Sequence, residues 1–260
     1  PSEKTGEGDP PSAPEKGFGT ITGKIVIDSA DEGSLPSPEA ILFAVGKAPV
    51  DNTFCASEMA IRNESFIVNP MTRGVQNVFI YLEEMPDDGK KVIATQKTEF
   101  WPSASKENLV LDQQNCTYKP HAMLVKAGEA FTANSQDSVV HSYRGTPFKN
   151  SPFNENVNPN SSLKVNPYRR PEPYPVPISC ATHSWMSGYQ LPLSHPYAAV
   201  TNDKGEFQIS DLPTGEHEFI IWHENKGSLG KGVVAKQKVT VNVGENDLGE
   251  LTFRLNQFKK

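Results

Sequence analysis

The sequence predicts an all-β protein made of two β-sandwiches, and three observations predict it. Short stretches rich in Val, Ile, Thr and aromatic residues recur along the chain with apolar and polar positions alternating. Clusters of Gly, Pro, Asn and Asp stand between them. Few segments hold a helical period for three turns. At 260 residues the chain is long enough for one large core or two smaller ones.

Residues 1–18 are mostly Pro, Gly, Ser, Glu and Lys with almost nothing apolar, the composition of a flexible tether. From Gly19, the run Thr20-Ile-Thr-Gly-Lys-Ile-Val-Ile27 reads as a strand. Further strands are expected at Ile41–Val45, Ser65–Val68 and Gln76–Leu82. Past Cys116, Ala122–Val125 and Ala130–Ala133 flank a turn at Lys126-Ala-Gly-Glu129. Residues 143–179 break the rhythm. They are rich in Asn, Pro and Ser and read as a long excursion, from which Pro177–Cys180 emerges as a strand. The last strands are expected at Tyr197–Thr201, Glu206–Ile209, Glu218–Trp222, Lys238–Val243 and Glu250–Leu255. Turns at Asp203-Lys-Gly205, Pro213-Thr-Gly215 and Gly244-Glu-Asn246 separate them.

No apolar run approaches the length that crosses a bilayer. The net charge of −6 disfavours nucleic acid and anionic membranes as partners and is more compatible with a cationic protein partner. A phosphate-binding loop, a nucleophile triad and a paired-carboxylate motif are all lacking, so a non-enzymatic role is expected.

The densest chemistry lies in Cys180-Ala-Thr-His183-Ser-Trp-Met186, with His141 upstream. One thiolate, two imidazoles and a thioether form the donor set of a blue-copper site. Soft sulfur suits Cu(I), imidazole suits Cu(II), and a rigid mixed site serves both with little rearrangement. Zinc prefers more thiolates or imidazoles and rarely takes thioether.

Tyr118-Lys-Pro120, Val125-Lys-Ala-Gly128, Asn134 and His141 together resemble the strand, hairpin and ligand run of plastocyanin-type cupredoxins. Cys180-x-x-His183-x-x-Met186 is similar to the ligand loop of amicyanins. The resemblance covers roughly residues 108–195. It implies a Greek-key sandwich holding type 1 copper, Cu(I)/Cu(II), with His141, Cys180 and His183 equatorial and Met186 axial. It also implies docking through a partly exposed edge of His183. Ser142 stands where the family commonly has Asn, so the stitching of the ligand loop is the first departure to examine. Trp185, between two ligands, is expected to shield the metal, to form a docking surface or simply to pack. For His121 the first expectation is an ordinary packed or surface ring. A place beside the ligands, or an extra ligand position, is the alternative, and His223 raises the same question of a contribution to a metal site.

With Cys180 given to the metal, Cys55 and Cys116 remain of the three cysteines. A disulfide between them would suit an oxidising compartment such as a periplasm or cell surface, with residues 1–18 as the tether; three unrelated thiols is the alternative. The segment Val200–Ile220, with its Asp-Lys-Gly and Pro-Thr-Gly turns, resembles the carboxypeptidase regulatory-like, or transthyretin-like, sandwich. Gly19–Val26 is similar to that family's opening strand. The expected organisation is therefore a tether at 1–18, the first part of this sandwich at 19–100, a cupredoxin at 101–195 and the second part at 196–260. The cupredoxin would be inserted in the other sandwich or packed on it. The combination resembles bacterial envelope proteins labelled methylamine-utilisation-like.

The leading expectation is a one-electron carrier between redox proteins, with a cytochrome or dehydrogenase as partner. A copper sensor or delivery protein, and a cell-surface scaffold with a vestigial site, are the alternatives.

Overall fold

A computed structural model describes residues 16–37, 39–83, 85, 110–226 and 232–258. Most of the expected tether and the expected boundary at 100/101 lie outside the described residues.

The first strands are β1 (Phe18–Ile27), β2 (Ile41–Phe43), β3 (Ile61–Arg62) and β4 (Phe79–Leu82). Next come β5 (Val110–Gln114), β6 (Thr117–Lys119), β7 (Ala122–Lys126), β8 (Phe131–Ser135) and β9 (His141–Gly145). They are followed by β10 (Phe153–Val157), β11 (Ser162–Val165), β12 (Val176–Ser179) and β13 (Ser187–Leu193). β14 (Ala198–Val200), β15 (Glu206–Pro213), β16 (Gly215–Trp222), β17 (Val233–Val241) and β18 (Gly244–Phe253) complete the set.

These strands form four stacked sheets, ordered β15-β1-β18, β14-β4-β16-β17, β10-β9-β12-β13-β7 and β11-β8-β5-β6, with β2 and β3 as a small separate hairpin. The period of two explains the stacking. On β4 and β16, Ile80, Leu82, Phe219 and Ile221 point into the core of the first sandwich, against Ile21, Ile25 and Ile27 of β1. The alternate residues Phe79, Tyr81, Ile220 and Trp222 point the other way, onto Ala122, Leu124, Leu191 and Leu193 of β7 and β13. Met123 and Val125 then face the core of the second sandwich. Sheets buried on both faces need continuous apolar runs, and Phe79-Ile-Tyr-Leu82 is one.

The second sandwich is an insertion. The chain leaves the flanking sandwich after β4 and returns as β14, which pairs antiparallel with β4 (Ala198 opposite Tyr81, Val200 opposite Phe79).

Three expectations change. Residues 143–179 are not an excursion: β10 pairs with β9 and β11 pairs with β8, so they belong to the sandwich. Their composition misleads because β10 is an edge strand whose middle residues are exposed. Ser65–Val68 is not a strand; Val68 makes a single bridge to Val75. Part of the segment assigned by sequence to the flanking sandwich packs elsewhere: Ala48, Cys55, Ala56 and Ile61 lie in the core of the inserted sandwich.

Two buried histidines make stability pH-dependent. His195 stacks on Tyr197, and His223 is wedged edge-on between Phe66 and Phe258. Burial pushes His195 down to about 4 and His223 down to about 3, with the charge of nearby His121 adding to the second. Below their ordinary value of about 6.5 the unfolded chain protonates these rings while the folded one keeps them neutral. Stability is therefore lost as pH falls from about 6.5 towards 4, by up to about 1.4 kcal/mol per pH unit for each ring. Urea melts of the wild type and His223→Gln across this range should show a shallower slope in the variant. Equal slopes would remove His223 from the account.

Candidate metal centre

The ligand loop runs from the end of β12 to the start of β13. The adjacent pairing of these strands holds its two ends together. Inside the loop, the Cys180 N–H donates to the Met186 carbonyl (3.3 Å) and the Met186 N–H donates to the His183 carbonyl (2.8 Å). Folded back in this way, the loop buries Cys180, His183 and Met186. His141 arrives from the neighbouring strand. It is the first residue of β9, which pairs with β12.

Three donor atoms converge, since one atom each from His141, Cys180 and His183 lie within 4.8 Å of one another. The two Nδ1 atoms face each other at 2.9 Å, and Cys180 Sγ lies 3.6 Å from His183 Nδ1. Met186 is buried in the same apolar cluster as Cys180.

The surroundings favour a thiolate. Burial opposes charge on Cys180, but hydrogen bonds from His141 and His183 and from the backbone N–H groups of His183 and Ser142 outweigh it, and the thiol falls to about 4. The two N–H groups lie 3.4 Å from the sulfur. Burial likewise opposes charge on His141, yet Asp137 and Cys180 raise it above its ordinary value. These surroundings favour the charged form of the Cys180 sulfur, the form in which a thiol binds a soft cation. The donor set, its convergence and its charge fit copper.

Each histidine is oriented from behind by a carboxylate, a common arrangement for metal-binding imidazoles. His141 Nε2 is 2.7 Å from Asp137 Oδ2, and His183 Nε2 is 3.0 Å from Asp51 Oδ2. Asp137 also accepts the backbone N–H groups of Asn115 (2.7 Å) and Cys116 (2.8 Å), so it ties the β5–β6 turn to the ligand. Sequence reasoning missed both carboxylates. Asp137 lies four residues before His141, a weak signal, and Asp51 is 132 residues from its partner, which leaves none.

Ser142 performs the stitching expected of the residue after the first His. Its hydroxyl oxygen accepts the Ala181 N–H at 2.7 Å, and the hydroxyl lies 3.7 Å from Cys180 Sγ.

The expected exposed edge of His183 is not there. His183 is 0 % exposed. It is covered by the segment that runs from β2 to β3, which supplies Asp51, and by Trp185. The Trp185 ring meets His183 edge-on at 5.1 Å and Phe43 at 5.2 Å, and its indole N–H donates to the Cys116 carbonyl at 3.1 Å. A Cys55–Cys116 disulfide fastens this cover, and both of its sulfurs lie within 4.8 Å of a His183 ring nitrogen. Trp185 therefore shields the site as part of a packed lid.

His121 is not among the converging donors. It is buried where the two sandwiches meet, bonded to Glu224 and 3.8 Å from Glu64. Burial opposes its charge, but those carboxylates raise it above its ordinary value. His223 Nδ1 accepts the Asn225 N–H at 3.1 Å and takes no part in the cluster either.

No protein family and no curated protein matches the chain. Among solved structures, the oxidised P94A mutant of amicyanin is 13% identical, over 35% of this chain and 87% of that one, with a TM-score of 0.29. A purple cupredoxin from Nitrosopumilus maritimus is 17% identical, over 32% of this chain and 96% of that one, with a TM-score of 0.27. The copper-containing nitrite reductase of Thermus scotoductus SA-01 is 11% identical over 33% of this chain, covers 22% of its own length and has a TM-score of 0.30. Likenesses this shallow add nothing to the chemistry of the site, which rests on the geometry of His141, Cys180 and His183 alone.

Proposed function

We propose that this protein is a type 1 copper protein that carries single electrons between redox proteins of the cell envelope. His141, Cys180 and His183 would be the equatorial ligands and Met186 the axial one. The observation that carries the reading is the buried convergence of His141, Cys180 and His183, with one donor atom of each within 4.8 Å of the others. Bound copper would supply the Cu(II)/Cu(I) couple. The chain supplies the rest: Asp137 and Asp51 fix the rings, two N–H groups hold the sulfur, and the lid keeps water out. Such stiffness favours a carrier, which must change little between oxidation states, over a sensor or delivery protein, which must release its metal.

The Cys55–Cys116 bridge supports an oxidising compartment. We read the flanking sandwich as a carboxypeptidase regulatory-like module that carries and covers the copper sandwich, and the partner as a cytochrome or a dehydrogenase.

Adding Cu(II) to the metal-free protein should produce an intense visible thiolate-to-copper band that Cys180→Ala abolishes. A colourless copper complex of the wild-type protein would end this reading.

A further inference from the structure

The usual route to the metal, past an exposed histidine edge, is closed here by Asp51, Trp185 and the disulfide. A second surface of the same sandwich is built to receive something. Where the edge strands β10 and β11 of the two facing sheets part, a groove of about 750 Å³ opens. Its rim carries Lys149, Lys164, Arg169 and Arg170 against one carboxylate, Glu155. All four cations are exposed, and among the described residues none of them makes an ion pair. This is a local excess of positive charge on a chain whose net charge is −6.

The rim is held in place by its own backbone. The buried Glu172 carboxylate accepts the N–H groups of Phe148 (2.9 Å), Lys149 (2.8 Å) and Asn150 (3.0 Å). The side-chain oxygen of Asn150 accepts those of Arg169 (2.7 Å) and Arg170 (3.0 Å). Two loops are thus laced together and their cations brought to one side. Phe148, 61 % exposed beside Lys149, adds the kind of aromatic anchor on which interfaces depend.

The floor of the groove leads inward. Phe153 lies in it, stacked on Tyr143 with ring centroids 4.7 Å apart. Tyr143 follows Ser142, whose N–H donates to Cys180 Sγ. One hydrogen bond and a covalent step therefore connect the ligand sulfur to the aromatic pair beneath the basic rim.

We infer that this groove is the docking face for an acidic protein partner and the point at which electrons enter and leave. The docking half stands on the charge and the lacing. The electron-transfer half rests on the copper reading above. Opposite charge would steer the encounter and set its rate, with strong dependence on ionic strength.

The test uses the full chain and the double variant Arg169→Glu/Arg170→Glu, whose substituted side chains are exposed and leave the backbone lacing intact. A fluorescein-labelled hexaglutamate peptide serves as the first probe. Binding at low salt should move the NMR signals of Phe153, Leu163 and Val165. It should weaken at least tenfold in the variant, and again when ionic strength is raised past about 0.15 M, where the screening length is about 8 Å. Unchanged affinity in the variant, shifts confined to another face, or binding to phosphatidylglycerol vesicles in place of the peptide would each overturn the docking assignment. Oxidation of the reduced copper protein by hexacyanoferrate(III) reads the second half. One electron passes to the oxidant, giving hexacyanoferrate(II) and the oxidised protein, with no bond made or broken and no proton moved. That rate should fall severalfold in the variant, while a cationic cobalt(III) complex should react no more slowly. Equal slowing by both oxidants would overturn the role in electron transfer. If the protein binds the peptide as expected but gives no thiolate-to-copper band, it is the copper reading that fails and the groove that stands.

Discussion

Asp137→Ala is expected to destabilise the metal-free protein by about 3–5 kcal/mol and to weaken copper binding about 10–100-fold. The first figure follows from what the carboxylate holds. It is 2 % exposed and accepts the N–H groups of Asn115 and Cys116 as well as facing His141 Nε2. Alanine leaves these donors in a space that water does not readily reach, and each buried unsatisfied group costs about 1–3 kcal/mol. The second figure follows from the freedom regained by the His141 ring. Asp137→Asn separates the two effects. Its amide oxygen can still take one backbone N–H, so stability should recover in part, but the negative charge behind the imidazole is gone and copper binding should stay weak. Urea denaturation reads the first effect and competition with a chelator the second. An alanine variant as stable as the wild type would show that the β5–β6 turn finds other acceptors.

Removing the Cys55–Cys116 bridge, as Cys55→Ser/Cys116→Ser, is expected to cost about 4 kcal/mol and to uncover His183. The bridge closes a separation of 61 residues, and the chain-entropy relation for a loop of that size gives a stabilisation of about 4 kcal/mol. The second consequence is local. The bridge anchors the segment bearing Asp51 to the turn whose Cys116 carbonyl holds the Trp185 indole. Once freed, this cover keeps the Asp51–His183 pair, whose carboxylate is 42% exposed, the Phe43–Trp185 contact and the apolar packing of Ala48, Ala56 and Ile61, but loses its covalent tie to the turn at Cys116. Small reagents in solution should then reach the copper faster than in the wild type, and metal release to a chelator should quicken. Thermal melts and stopped-flow reduction measure the two. A variant that melts lower but reacts at the wild-type rate would show that the lid stays shut without its bridge.

Much of the centre is legible in the sequence because its chemistry is contiguous. Cys180, His183 and Met186 sit in one loop, and the close spacing brings the first two together and buries the third beside them. Ser142 is legible for the same reason, being next to a ligand. What escapes is whatever arrives from a distance. Asp51 meets His183 only because a segment of the flanking sandwich crosses over. That segment has two short strands and no periodic pattern, so nothing in it announces a lid. The strands β10 and β11 escape for a different reason: each is an edge strand with exposed polar residues, and Asn154-Glu-Asn156 reads as loop when pairing is out of sight. The apolar runs Phe79–Leu82 of β4 and Phe219–Trp222 of β16 are easy to find. That both of their faces are covered shows only in the stacked sheets.

The insertion also fixes an order of events during synthesis. Strands β1 and β4 leave the ribosome well before β14, β15, β16 and β18, the strands they pair with, so the flanking sandwich waits half-made while the inserted one is translated. Cys55 and Cys116 belong to the earlier part of the chain. Both have emerged before Cys180 exists as a competitor. In an environment where the chain oxidises as it appears, Cys180 is the last thiol to arrive and finds the other two already joined.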